Sequence, residues 1–257
     1  MLRSIKALHG FAIGATDGDV GTVRECYFDD ETYAVRYLVV DTGAWLSERK
    51  VLLSPIAFRA MDWEHRRITT ALTKTQVEKS PEIDTDRPVS RQHETNYFGY
   101  YGYAPYWTGS YLWGISPYPS PGPEPAVLTK HFERERRWVW AARKGTSPHL
   151  RSSRAVTGYH IHATDGDIGH VSDFLVDDCS WAIRYLIVDT TNWWAGKKVL
   201  LSPGWIERVD WNHSKVHATV TQAQIRNSPA FDPTRPVERA YEEQLYRHYG
   251  QPHYWGE

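Results

Sequence analysis

The sequence predicts a mainly β protein made of two tandem small β-barrels, each followed by short α-helices. Three observations carry this. Residues 4–102 align with 152–250 without a gap, at an offset of 148, with 42 identities in 99 positions. Within each copy, short β-branched and aromatic runs alternate with Asp/Gly turn signals, the pattern of small-barrel strands. Each copy then carries a Thr-x-x-Gln capping box, the start signal of a helix.

The elements follow in the same order in both copies. A short strand precedes Thr16-Asp17-Gly18-Asp19, which recurs as Thr164-Asp165-Gly166-Asp167, and Asp and Gly are what a tight turn needs. Thr22 to Phe28 alternates as a strand and closes at Asp29-Asp30. Ala34 to Asp41 has apolar residues at both parities (Val35, Tyr37, Val39 against Leu38, Val40), as a strand covered on both faces does. Val51 to Leu53 is a short strand stopped by Ser54-Pro55, and Phe58–Asp62 with Ile68–Leu72 reads as a hairpin. A short helix starts at Thr73 or Thr221 and ends at Ser80-Pro81 or Ser228-Pro229; a second begins near Pro88 or Pro236. Its apolar stripe is expected at Val237, Ala240, Tyr241, Leu245, His248 and Tyr249, and more weakly at Val89, His93, Tyr97, Tyr100 and Tyr101. Domains are set at 1–107, a linker at 108–151, and 152–257.

The motifs Asp17-Gly18-Asp19-x-Gly21, Arg36-Tyr37-Leu38-Val39-Val40-Asp41 and Val51-Leu52-Leu53-Ser54-Pro55, with their second copies, resemble the PRC-barrel domain family. The resemblance covers roughly 5–80 and 153–228. It implies a small barrel of the kind found in the cytoplasmic part of the H subunit of the photosynthetic reaction centre and in the C-terminal half of a ribosome-maturation factor. The sequence lacks the membrane helix of the first and the separate N-terminal domain of the second. A stand-alone bacterial tandem protein is the nearest match, and for those the resemblance implies no activity.

Catalytic, cofactor and metal motifs are not expected. No Gly-x-Ser-x-Gly, phosphate loop, dinucleotide fingerprint or Cys–His pairing stands in the sequence. The Asp-Gly-Asp turns lack the further oxygen ligands of a calcium loop. Arg36 and Asp41, like Arg184 and Asp189, lie five apart on one strand and so face opposite ways; they read as structural groups ion-paired with other elements, and His65 and His213 as turn residues. Cys26 and Cys179 do not correspond between copies, so no disulfide is built into the repeat, although this leaves room for one bridge between the copies; a reduced, cytoplasmic protein is expected. No stretch approaches the ~20 apolar residues of a membrane span, and the N-terminus lacks a signal-peptide pattern.

What remains is binding. The chain holds 12 Trp and 16 Tyr against 7 Phe, a profile suited to wet, half-buried surfaces. Trp45, Trp193 and Trp194 follow the central strands and either close the barrel end or meet a partner. Residues 103–151 carry 7 basic and 3 acidic groups, net +4, while 4–102 is net −3 and 152–250 net −2. Arg134, Arg136 and Arg137 interleave there with Trp138 and Trp140, as in a membrane-surface or nucleic-acid contact, or in a segment docked on acidic barrels. The net-negative repeats disfavour nucleic acid as the main ligand. The expectation is a non-catalytic module that binds an unidentified protein or itself, the alternative being peripheral membrane or nucleic-acid association; a small ligand in a cleft between the barrels ranks last.

Overall fold

The computed structural model describes residues 1–47, 49–81, 89–121, 149–191 and 196–255. In the first repeat these form β1 (Leu2–Ser4), α1 (Ile5–Leu8), β2 (Ala12–Ala15), β3 (Gly18–Asp29), β4 (Ala34–Asp41), β5 (Lys50–Leu53), β6 (Phe58–Asp62), β7 (Arg67–Thr70), α2 (Lys74–Glu78) and α3 (Arg91–Tyr101). The second repeat follows with β8 (Leu150–Ser152), α4 (Ser153–Val156), β9 (His160–Ala163), β10 (Gly166–Asp177), β11 (Ile183–Asp189), β12 (Lys198–Leu201), β13 (Ile206–Asp210), β14 (Lys215–Ala218), α5 (Gln222–Asn227) and α6 (Arg239–Tyr249). The protein is mainly β, with two sheets of seven strands. Their paths run β5-β4-β3-β2-β7-β6 and β12-β11-β10-β9-β14-β13, with one further strand on β3 and one on β10. Only β2/β7 and β9/β14 pair in parallel among the described strands.

Local chemistry explains the elements. β4 is buried at every position but its last, so both of its faces are covered, as its unbroken apolar run requires. Thr73 and Thr221 make complete capping boxes with Gln76 and Gln224. The Asp-Gly-Asp turns brace the same helices: Asp17 Oδ1 accepts from the Lys74 amide at 2.8 Å and Asp165 Oδ1 from the Gln222 amide at 2.7 Å. Gly21 and Gly169 let the neighbouring strand come close. A Cβ there would lie 2.0 Å from the Asp41 carbonyl oxygen or 2.4 Å from that of Asp189. Gly21→Ala should therefore cost the first repeat about 1–3 kcal/mol as overpacking, measurable by urea denaturation.

The second helix of each repeat differs from expectation. It starts at Arg91 and Arg239, three residues beyond Pro88 and Pro236, with Ser90 capping the first through the His93 amide. Its buried face is also rotated. Glu94, Tyr97 and Phe98 point inward in one repeat, and Glu242, Leu245, Tyr246 and Tyr249 in the other, while Tyr100 and Ala240 are exposed. A glutamate sits at the centre of the inner face, which a hydropathy stripe does not register.

Two three-residue strands were not expected, and they define the connectivity. β1 pairs with β10 of the second repeat (Leu2↔Asp177, Arg3↔Val176, Ser4↔Leu175). β8 pairs with β3 of the first (Leu150↔Asp29, Arg151↔Phe28, Ser152↔Tyr27). The leading strand of each repeat thus belongs to the sheet of the other. The chain divides into two compact units accordingly: Leu8–Ser152 with Cys179–Ala182, and Met1–Ala7 with Ser153–Asp178 and Ile183–Glu257. Side chains fix each added strand. In the second unit, Asp173 accepts from Ser4 Oγ at 2.5 Å and from the Lys6 amide at 3.2 Å. In the first, Arg151 Nε pairs with Asp30 Oδ2 at 2.7 Å and Ser152 Oγ donates to Glu25. The Cys179–Ala182 segment adds Trp181, whose ring meets Phe58 edge-on at 5.4 Å.

Candidate functional site

The polar centre of the first unit is the carboxylate of Glu94, which is fully buried on α3. A buried carboxylate is tolerated only when paired and hydrogen-bonded, and Glu94 has both. Oε1 accepts from the hydroxyls of Tyr37 (3.1 Å, on β4) and Tyr106 (2.7 Å). Oε2 lies 3.0 Å from Arg91 Nη1 and 3.1 Å from His149 Nε2. His149 Nε2 is also 3.1 Å from the Tyr106 hydroxyl, which accepts from Arg91 Nη1 at 3.1 Å. The Arg91 guanidinium lies over Trp107 at 4.2 Å.

A second buried cation completes the cluster. The Arg36 guanidinium stacks on Tyr106 at 3.6 Å and faces Trp113 at 4.8 Å. It donates to the Leu112 carbonyl (2.7 Å) and Thr32 Oγ1 (3.0 Å), and lies 3.7 Å from Asp29. Burial lowers the Arg36 pKa, an effect opposed by Tyr106 and Asp29. Burial and the neighbouring Glu94 charge push the Tyr37 and Tyr106 hydroxyls well above the ordinary phenol range, so both remain donors. Burial also works against the Arg91 charge, but Glu94 and Tyr106 outweigh it and its pKa is raised.

The second unit repeats this arrangement around Glu242. Tyr185 and Tyr254 donate to Oε1 at 2.8 and 2.9 Å, and Arg239 Nη1 lies 3.0 Å from Oε2. Arg184 stacks over Tyr254 at 4.4 Å and Arg239 over Trp255 at 4.0 Å. Glu242, Tyr185, Tyr254, Arg239, Arg184 and Trp255 each have a counterpart 148 residues earlier, whereas His149, whose aligned position is Met1, and Leu112 and Trp113 are found in the first unit's cluster alone. The cluster ties helix, tail and sheet together, and the imidazole is the first repeat's own addition.

The residues singled out from sequence fall differently. Trp45 lies half-buried in the 3₁₀ turn Gly43–Leu46; its indole donates to the Val20 carbonyl at 2.5 Å and Lys74 Nζ sits 4.3 Å from its ring. Trp193, Trp194, Arg134, Arg136, Arg137, Trp138 and Trp140 lie outside the described residues. Asp41 pairs with Arg24 at 2.7 Å and Arg36 lies 3.7 Å from Asp29, so each meets a partner on another strand, as expected. His65 and His213 pair with Asp62 and Asp210 at 2.8 and 2.9 Å in their hairpin turns. Cys26 is buried and Cys179 exposed, and they are not bridged. Glu94 and Glu242 were missed, although a signal exists: Arg91-x-x-Glu94 persists as Arg239-x-x-Glu242 while the residues between and beside change.

Among the described residues, no helix is long and apolar enough to cross a membrane. The chain is 33% identical over 81 residues to an uncharacterized protein of Deinococcus radiodurans, a match covering 32% of this chain and 29% of that protein. Residues 10–77 match the PRC-barrel domain family. That segment spans β2 to α2, with the Asp-Gly-Asp turn, the Arg36–Asp41 strand and the first capping box, so the first repeat carries a PRC-barrel domain.

Proposed function

We propose that the protein is a non-catalytic binding or assembly module of two PRC barrels acting in the bacterial cytoplasm, and that it meets a protein partner, or itself, through the segment joining the repeats. The observation that carries this is the exposure of Tyr111 (61%), Ile115 (58%) and Tyr118 (55%) within eight residues of one another. Clustered exposed apolar groups mark interaction surfaces far better than scattered ones. These three lead directly into the basic and tryptophan-rich stretch that holds Arg134, Arg136, Arg137, Trp138 and Trp140. The charged groups that both repeats share, Arg36, Asp41 and Glu94 with their counterparts, are engaged in internal bonds where described, which leaves them for the fold rather than for turnover.

The test compares the parent with a Tyr111→Ser, Ile115→Ser, Tyr118→Ser variant. Sedimentation over a range of concentrations and affinity purification from native extract are expected to show association lost in the variant. Unchanged association in both would sink the proposal. Salt-sensitive binding to anionic vesicles or RNA, lost on replacing Arg134, Arg136 and Arg137 by alanine, would instead favour peripheral association.

A further inference from the structure

The outer face of the second repeat's sheet carries histidines that the first repeat lacks. Along β9, His160 and His162 alternate with buried Ile161 and Ala163; along β14, Lys215 and His217 alternate with buried Val216 and Ala218. Register places them side by side, since His162 is the partner of His217 on one flank and of Asp167 on the other. The row continues to Arg208, opposite His217 on β13. The aligned positions of His160, His162 and His217 are Ala12, Gly14 and Thr69. In the first repeat Arg67 reaches across the space above Gly14, where a Cβ would meet its guanidinium at 2.7 Å, and pairs with Asp19 at 2.5 Å. In the second, an imidazole fills that space.

The geometry of that imidazole is specific. His162 Nδ1 lies 2.5 Å from Asp167 Oδ1. A carboxylate accepts, so an Nδ1 hydrogen faces Asp167 and Nε2 is the nitrogen turned away from it. The His217 ring stands 5.0 Å from it, centroid to centroid, at 66°. An ion held at roughly 2.0–2.1 Å from one nitrogen of each ring sets the centroids about 4.5–5.2 Å apart for angles between square and tetrahedral. We propose that His162 and His217 form a two-imidazole site for a first-row transition-metal dication, with Asp167 orienting His162 and water or an incoming ligand completing the coordination. A carboxylate on the far nitrogen of a ligating histidine is the usual supporting contact. Lys215, 3.2 Å from Asp167, and Arg208 oppose any dication alike, and Cu²⁺ is expected to bind more tightly than Zn²⁺ because imidazole sites follow the general affinity order of divalent first-row ions. The proposal is independent of the binding role given above.

Titration calorimetry of Cu²⁺ and Zn²⁺ into the full chain tests it, with circular dichroism as the fold control. One stoichiometric site is expected. His162→Ala and His217→Thr should each weaken it at least about tenfold, and Asp167→Asn by about 10–100-fold. Thr is the residue the first repeat already carries at this position, so the sheet accommodates it. His160→Ala, on the same face, should leave the affinity unchanged. No stoichiometric binding by the parent, or an equal isotherm for a double variant of His162 and His217, overturns the site; an unchanged affinity in Asp167→Asn overturns the orienting role.

Discussion

Glu94→Ala should lower the stability of the first repeat by about 3–5 kcal/mol, the cost of breaking a buried ion pair from one side. The loss is large because one carboxylate serves Tyr37, Tyr106, Arg91 and His149 together. Removing it leaves two buried phenol donors without their acceptor and the largely covered Arg91 charge without its partner. Glu94→Gln should fall between parent and alanine, since an amide oxygen still accepts from both tyrosines while the attraction to Arg91 is gone. Glu242→Ala should cost less than Glu94→Ala. It has no histidine partner, and Arg239 is half-exposed where Arg91 is largely covered. Urea unfolding of the full chain with probes in each repeat reads both values. A Glu94→Ala protein within 1 kcal/mol of the parent would mean that the carboxylate does not secure α3.

Deleting Met1–Ser4 should damage the second repeat and spare the first, although the deleted residues precede the first repeat in the chain. The truncation strips β1 from β10 and removes Ser4 from Asp173, a carboxylate only 8% exposed. Net hydrogen bonds of about 1 kcal/mol each, plus about 1–3 kcal/mol for a buried acceptor left short of donors, bring the expected loss to roughly 3–6 kcal/mol. Hydrogen exchange locates it: protection should fall at Leu175–Asp177 and persist at Tyr27–Asp29. Loss at Tyr27–Asp29 instead would show that each leading strand closes its own repeat.

These two features mark where sequence reasoning stops. Turns, capping boxes and the strand Ala34–Asp41 were legible because their causes are local: glycine and aspartate at a bend, Thr and Gln three apart, an apolar run covered on both faces. β1 and β8 were not. Each is three residues long, and its partner lies more than 120 residues away in sequence. The Glu94 cluster was hidden for another reason. An acidic residue three positions after an arginine on a helix ordinarily reads as a solvated pair; only the tyrosines converging from β4 and from the tail turn it inward. The start of α3 was displaced because proline is merely tolerated in a first turn, whereas Ser90 supplies the hydrogen bond that begins one. The four histidines of the second sheet's outer face (His160, His162, His170 and His217) appear as scattered letters until β14 is set beside β9.

The exchange of leading strands also bears on how the chain is made. Ser4 has left the ribosome long before Leu175 exists, so the first strand waits for its seat while some 170 residues are added. At 5–20 residues per second that interval is about 9–35 s. The first unit is equally incomplete until Leu150–Ser152 emerges, well after the rest of its sheet. Neither half can therefore be finished as a self-contained early product. A gene split cleanly between the two copies would encode two fragments, each holding the edge strand that the other needs.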